Sequence, residues 1–233
     1  GCSTQATGPA AIKIGLSTAL SGPAAPWGIP HLQAAELVAD KYNADGGIYI
    51  EAAGKKLPIE IIAYDDKYTP SEAAIAGKKL IEQDKVHVIA NMGEEMATTI
   101  RGMANDAGII QWGTSWELSD PHPDYPLSFS CLTRNLEMAA PGLAWFHNSI
   151  DASALKLGSI AVNNAGGVKE HEIMAAGGSS VGMELVFWDV FDWGQVDFAP
   201  MLLKAIDAGV EVFAFSSAPP DVVGLVAKQA IEL

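Results

Sequence analysis

The sequence has few cysteines and few positive charges, and it contains no long apolar run. Two cysteines in 233 residues are too few for a disulfide framework. The 14 Lys and Arg residues face 28 Asp and Glu residues, so the net charge is −14 and nucleic acid and anionic membrane surfaces are not expected partners. Because no uninterrupted apolar run approaches about 18 residues, the sequence predicts a globular chain without a membrane-spanning helix.

The residue patterns of common catalytic and cofactor sites are also missing. The histidines are scattered, and no HExxH motif, Walker loop or G-x-G-x-x-G motif is present. Asp65 and Asp66 offer two adjacent carboxylates after a strand, but a pair without a third ligand is a weak metal signal, and a turn explains it. The sequence therefore predicts no enzyme, no cofactor and no metal site.

Apolar strand-like runs alternate with amphipathic helical runs from residue 11 onward. Strands are predicted at 12–20, 57–64, 86–91, 108–113, 127–132, 157–163, 182–190 and 210–215. Helices are predicted at 31–45, 69–84, 96–107, 135–149, 168–177, 198–206 and from 220 onward. This alternation, with short connections, predicts an α/β fold of parallel sheets covered by helices on both faces. The pattern breaks once, near 113–134, which places a lobe boundary between 11–131 and 132–233.

One helix start is marked clearly by the residues TPSE. Thr69 is the predicted cap, Pro70 the first helical residue, and Glu72 the residue that closes a capping box. The loop GPAAPWG (22–28) is less easily explained, because two prolines and two glycines there surround a large, amphipathic Trp27. A loop braced in this way favours a binding-site tryptophan over a core one.

Several stretches, taken in order, resemble a known family. IKIGLSTALSGPAAPWG, AAELVADKYNADGGI, LPIEIIAYDD, TPSEAA and KKLIEQDKVHVIA are similar to the first lobe of type I periplasmic binding proteins, in the branched-chain amino acid (leucine/isoleucine/valine-type) subgroup of ABC transporter receptors. GIIQWGTS, VDFAPMLLKAIDAGVEVFAF and VVGLVAKQA continue the match.

The resemblance implies two doubly wound parallel-sheet lobes that close by a hinge on a small organic ligand, an amino acid or a related metabolite. It implies a non-enzymatic receptor in the periplasm or another extracytoplasmic space, with ABC permease subunits as partners. Relatives are longer than this chain, so the second lobe is expected to be incomplete, with a sheet edge and a core face uncovered. A sensory or regulatory ligand-binding domain is the alternative, and an α/β enzyme ranks below both.

Residues 1–10 form a predicted tether, GCSTQATGPA, without helical or strand periodicity. A cysteine so close to the start resembles that of a mature bacterial lipoprotein, which implies an acylated Cys2 and attachment to a membrane. An incidental cysteine in a frayed terminus is the open alternative.

The ligand site is expected where the strands of open parallel sheets end. Three first-lobe loops leave such ends, at 20–30, 91–96 and 113–118. The resemblance gives Trp27 the role of the aromatic residue that packs on the ligand. The other residues matched to the site are Met92, Gly93, Glu94, Ser115, Trp116 and Glu117 in the first lobe, and Asn164 and Ser217 in the second.

The departures from the family pattern concern charge and cross-linking. Glu94 and Glu117 stand where amino acid receptors carry hydroxyl residues, and the second-lobe tyrosines are missing, so a cationic ligand held by carboxylates and indole faces is an alternative. Equally, Glu94 and its neighbour Glu95 need only stabilise a helix dipole. The two half-cystines of some relatives correspond to Tyr68 and Gly93, so that disulfide cannot form here.

Overall fold

The computed structural model describes residues 9–114, 123–130, 135–150, 153, 155–215 and 218–233. The chain divides into two compact units, Gly1–Cys131 and Leu132–Leu233. Each unit is built on its own parallel sheet. No helix in the described ranges is long and apolar enough to cross a membrane.

Unit 1 contains a five-stranded sheet in the order β4-β1-β5-β6-β7, and all of its strand pairs are parallel. A separate antiparallel hairpin pairs β2 with β3. The strands are β1 (Ile12–Thr18), β2 (Ile48–Ile50), β3 (Lys55–Leu57), β4 (Ile59–Asp65), β5 (Val88–Met92), β6 (Ile110–Thr114) and β7 (Ser128–Ser130). The helices are α1 (Ala25–Ala44), α2 (Pro70–Glu82) and α3 (Glu94–Asp106).

The core of unit 1 lies between α2, α3 and the central strands. Leu80 of α2, Ile89 of β5, and Met96 and Ile100 of α3 are completely buried in one apolar cluster. Met96 and Ile100 are four residues apart, so they lie on one face of α3, as the sequence pattern predicts. This packing fixes the start of α3 against the end of β5.

Unit 2 contains a three-stranded parallel sheet in the order β10-β8-β9. Its strands are β8 (Lys156–Val162), β9 (Glu184–Phe191) and β10 (Val212–Phe215), and its helices are α4 (Asn135–Ser149), α5 (Ala165–Ser179), α6 (Ala199–Asp207) and α7 (Pro220–Glu232). Ile160, Phe191, Phe198 and Val226 are buried in its main core cluster. The parallel α/β prediction is confirmed in both units, and β10 pairs on one side only within the described residues.

The largest error of the sequence prediction concerns the start of α1. The helix begins at Ala25 and not at 31, so Trp27 lies in its first turn and not in a loop. Pro26 is compatible with this position because the first helical residues need no amide donor. Pro30, inside the helix, costs one hydrogen bond, and together with Pro26 it makes the sequence look like a loop.

Two smaller differences have local causes. Thr69 caps α2 as predicted, since its hydroxyl accepts a hydrogen bond from the amide of Glu72 at 3.4 Å. The other half of the capping box is wrong: the Glu72 carboxylate pairs with Lys67 at 3.0 Å, and the amide of Thr69 donates to the carbonyl of Asp66. The β2–β3 hairpin was missed because its strands have three residues each, too few to show a period.

Close packing explains why the last residue of the GPAAPWG motif, Gly28, is a glycine. A Cβ atom at this position would collide with the backbone carbonyl of Ala19, so α1 packs against the end of β1 without room for a side chain. Gly22 has a different role: its φ of +76° is in the left-handed region that favours glycine. The motif therefore turns the chain at Gly22 and lets α1 pack directly against the end of β1 at Gly28.

We predict that Gly28→Ala lowers the free energy of unfolding by about 1–3 kcal/mol, because the added methyl group overpacks a backbone contact. Gly102→Ala is the matched control, since it also lies in a helix of unit 1 and nothing lies within 4 Å of its added Cβ. That control is expected to gain about 0.5–1 kcal/mol. Urea unfolding followed by circular dichroism measures both, and equal stability of the two variants would contradict the close packing of α1.

Candidate functional site

Three chain segments meet at one edge of the unit 1 sheet. β1 pairs in parallel with β4 and with β5, and Ser17 of β1 is opposite Tyr64 on one side and Asn91 on the other. The three strands therefore end at the same edge, where ligands of open α/β sheets bind. The chain leaves this edge towards the first turn of α1, the turn before α2 and the start of α3.

Tyr68 connects the segments that carry two of the predicted site residues. Its ring centroid lies 6.1 Å from that of Trp27, and the two rings are tilted by 54°. The ring also lies against Gly93, where an added Cβ would be only 2.7 Å from Cε2 of Tyr68. Trp27 and Tyr68 are both partly exposed, so the pair is open on part of its surface.

The second predicted loop shortens to a single residue. Met92 ends β5 and is 8% exposed, Gly93 is the N-terminal cap of α3 at φ +92°, and Glu94 is the first residue of that helix. Glu94 and Glu95 lie in the first turn, where carboxylates stabilise the helix dipole by about 0.3–1 kcal/mol without any ligand. A ligand role for Glu94 stays a prediction.

A network of carboxylate hydrogen bonds holds the turn that carries Tyr68. The Asp66 side chain accepts bonds from the Ser17 hydroxyl at 2.8 Å and from the Tyr68 amide at 2.9 Å. Asp65 accepts bonds from the amides of Leu20 and Lys67, both at 2.9 Å. These two carboxylates therefore support a turn, which is the role that the sequence favours for them.

The turn has an unusual backbone. Lys67 and Tyr68 adopt φ values of +51° and +57°, and two consecutive non-glycine residues in the left-handed region are rare. Such conformations cost roughly 1–3 kcal/mol each and persist where the surroundings over-determine them. Here the two aspartates supply that constraint, and they fix the position of the Tyr68 ring.

The pKa values of the two carboxyls of this turn are shifted in opposite directions. Burial raises the pKa of Asp66 above its ordinary value, even though Tyr68 and Ser17 donate to it, and the charge of Asp65 raises it further. Burial would also raise the pKa of Asp65, but hydrogen bonds from Ser21, Leu20 and Lys67 outweigh burial and lower it. The more buried carboxyl is therefore the one that resists ionisation.

His31 is a further polar residue of this edge that the sequence prediction missed. It follows Trp27 by four residues on α1, so the two share one helix face, and its Nδ1 lies 3.2 Å from Oγ1 of the buried Thr18. Burial lowers the pKa of His31. The signal available in the sequence was the i, i+4 spacing, which a loop prediction for 22–28 concealed.

The remaining predicted residues lie in unit 2 or outside the described residues. Asn164 lies in unit 2, where its side chain caps α5 by accepting a hydrogen bond from the amide of Gly167 at 2.7 Å. Cys2, Ser115, Trp116, Glu117 and Ser217 lie outside the described residues. Their ligand or anchor roles stay predictions.

Unit 2 has an apolar cavity of about 320 Å³ beside β10, between α6 and α7. It is lined mainly by aliphatic and aromatic side chains, among them Leu202, Phe213, Phe215 and Val226. Among the predicted site residues that the structure describes, none lines it. Within the described ranges, no group of three or more His, Cys, Asp or Glu side chains could hold a metal ion.

The family model of periplasmic binding proteins matches residues 11–232. The chain therefore belongs to the periplasmic binding protein family. Among curated proteins, it is similar to the Leu/Ile/Val-binding protein of Escherichia coli K12, with 30% identity over 99 residues, which are 42% of this chain and 25% of that protein.

Solved structures show the same fold over nearly the whole chain. The branched-chain amino acid transporter substrate-binding protein of Streptococcus pneumoniae, in complex with isoleucine, has a TM-score of 0.78 at 22% identity, covering 95% of this chain and 61% of that one. A Rhodopseudomonas palustris solute-binding protein in complex with 4-hydroxybenzoate has a TM-score of 0.76 at 18% identity, covering 95% and 58%. The chain thus spans about 60% of the length of these structures.

We predict that Asp66→Asn and Asp65→Asn change the pH dependence of stability in opposite directions. Because the pKa of Asp66 is raised above 3.8 in the folded state, protonation favours folding. The wild type therefore gains stability relative to Asp66→Asn as the pH falls from neutral. The gain is complete below pH 3.8.

Asp65 is the matched opposite case. Its lowered pKa gives a stabilisation that is present above 3.8 and is lost as the pH falls through the folded pKa. Urea unfolding at a series of pH values measures both differences. Parallel pH profiles for the two variants would contradict the burial of Asp66.

Proposed function

We propose that the protein is an extracytoplasmic solute-binding receptor that captures a small organic ligand, an amino acid or a related metabolite, for an ABC importer. The observation that supports this most strongly is the meeting of Trp27, Tyr68 and Gly93 at the carboxyl edge of the unit 1 sheet. Three separate segments supply these residues, and an aromatic pair there is partly exposed.

The ligand contacts we propose in unit 1 are Trp27, Met92, Gly93 and Glu94, together with the segment Ser115, Trp116 and Glu117. Asn164 and Ser217 are the proposed contacts from unit 2. In this proposal the two units act as lobes that close on the solute by a hinge. Burial of Trp27 against the solute would then supply much of the affinity.

The location and partners we propose rest on family membership, and the role we propose for Cys2 rests on its resemblance to a lipoprotein cysteine. ABC permease subunits are the proposed partners, the periplasm or another extracytoplasmic space is the proposed location, and Cys2 is the proposed lipid-bearing residue. The solutes named for the similar structures, isoleucine and 4-hydroxybenzoate, are starting points for a ligand search.

One sequence string that suggests an enzymatic role was missed in the sequence prediction, and the fold argues against that role. Gly178–Gly182 reads G-x-S-x-G, but this string joins the end of α5 to β9, whereas a nucleophile elbow joins a strand to a helix. Ser180 is the C-terminal cap of α5, and its hydroxyl donates a hydrogen bond to the carbonyl of Gly177 at 2.6 Å. We therefore propose binding without turnover.

We predict that Trp27→Ala weakens solute binding by about tenfold or more, equivalent to ~1.4 kcal/mol, while the thermal transition stays nearly unchanged. The reason is that a partly exposed indole at the sheet edge contributes more to a bound solute than to the core. Calorimetric titration with isoleucine, 4-hydroxybenzoate and the cation tyramine measures the affinity.

Trp145→Ala is the matched control, because its indole on α4 is 63% exposed and lies outside the proposed contacts. It is expected to bind as the wild type does. Equal affinity of wild type and Trp27→Ala, or a loss of folding in Trp27→Ala alone, would contradict the assignment.

A further inference from the structure

Tyr68 occupies a place in the molecule that packing of the core alone does not explain. Part of the ring packs against the cluster around Leu80 and Met96. The ring also lies beside Trp27, at 6.1 Å between centroids, and it is only partly buried. The ring is therefore in contact with the core cluster and with a partly exposed indole at once.

The backbone around Tyr68 is held in a costly conformation. Its amide donates to Asp66, a carboxylate that is completely buried, and the left-handed φ of +57° sets the direction in which the side chain leaves the chain. Strain of this kind is found at functional sites, where it fixes a side chain in advance of binding. The hydrogen bonds of Asp66 and Asp65 therefore orient the ring before any solute arrives.

Gly93 provides the space for the ring. A Cβ atom there would meet Cε2 and Cζ of Tyr68 at 2.7 and 2.9 Å, so a larger residue at 93 would displace the ring or distort the start of α3. The Tyr68 ring, together with the Met96 methyl group, therefore leaves no room for a side chain at 93.

We propose that Tyr68 is a specificity-determining residue of the solute site and that, with Trp27, it selects a solute with a planar aromatic portion. This inference rests on the proposed receptor function and goes beyond it, because it names both a contact residue and a solute class. Two tilted rings offer faces and edges to a third ring, and such aromatic contacts add about 0.5–1.5 kcal/mol beyond the area buried. Aliphatic solutes receive only the burial contribution.

The test compares the wild type with Tyr68→Leu and Tyr68→Phe. Leucine keeps an apolar side chain at the strained position and removes the ring, while phenylalanine keeps the ring and removes the hydroxyl. The probes are phenylalanine, tyramine and 4-hydroxybenzoate as aromatic solutes of different charge, with isoleucine as the aliphatic one. Calorimetric titration gives the dissociation constants, and thermal unfolding of each variant shows that it is folded.

We expect at least one aromatic probe to bind the wild type more tightly than isoleucine. Tyr68→Leu should weaken that probe by about three- to tenfold, which corresponds to the contribution of one aromatic contact, and Tyr68→Phe should stay within about twofold of the wild type. Tyr49→Leu is the matched control, since this tyrosine is 60% exposed on the β2–β3 hairpin. It should leave every dissociation constant unchanged.

Two results overturn the inference while the receptor function stands: isoleucine binds most tightly, or Tyr68→Leu binds the preferred probe as the wild type does. Failure of the wild type to bind any of the four probes counts against the receptor function itself, and the inference falls with it. If Tyr68→Leu unfolds, the comparison of the aromatic probes with isoleucine in the wild type still decides the solute class.

Discussion

The parallel pairing of β1 with β4 and β5 is the constraint on which the rest of the site depends. Parallel strands that are in register end together, so the segments that follow them leave the sheet side by side. Without this pairing, Trp27, Tyr68 and Gly93, which are 25 to 66 positions apart, would have no reason to meet. A helix begins within a few residues of each strand end, at Ala25, Pro70 and Glu94, and this keeps each segment close to the edge.

Hydrogen bonds of buried polar groups fix the segments that follow these strands. Asp66 is completely buried, and its burial is unfavourable for a charged carboxylate, yet two donors compensate for part of that cost. The turn it supports carries two left-handed residues. The fold therefore loses some stability by holding the Tyr68 side chain in place. Backbone strain of this kind is found at binding sites more than in ordinary turns.

The sequence predicts the architecture better than it predicts the site. Strand–helix alternation gives the parallel sheets, and Thr69-Pro70 gives the start of α2, because these signals depend on local chemistry. The predicted start of α1 is wrong because prolines at 26 and 30 are typical of a loop, although the first helical turn tolerates a proline such as Pro26. The importance of Tyr68 was not predictable, since it depends on a contact with a glycine 25 residues away and on a backbone conformation that composition does not encode.

The Tyr68 ring contacts both Trp27 and Gly93. Nuclear Overhauser spectroscopy on isotopically labelled protein measures this directly. Cross-peaks are expected from the Tyr68 ring protons to the α-protons of Gly93 and to the indole protons of Trp27. Absence of both sets, in a sample whose β1–β5 cross-strand peaks are intact, would contradict it.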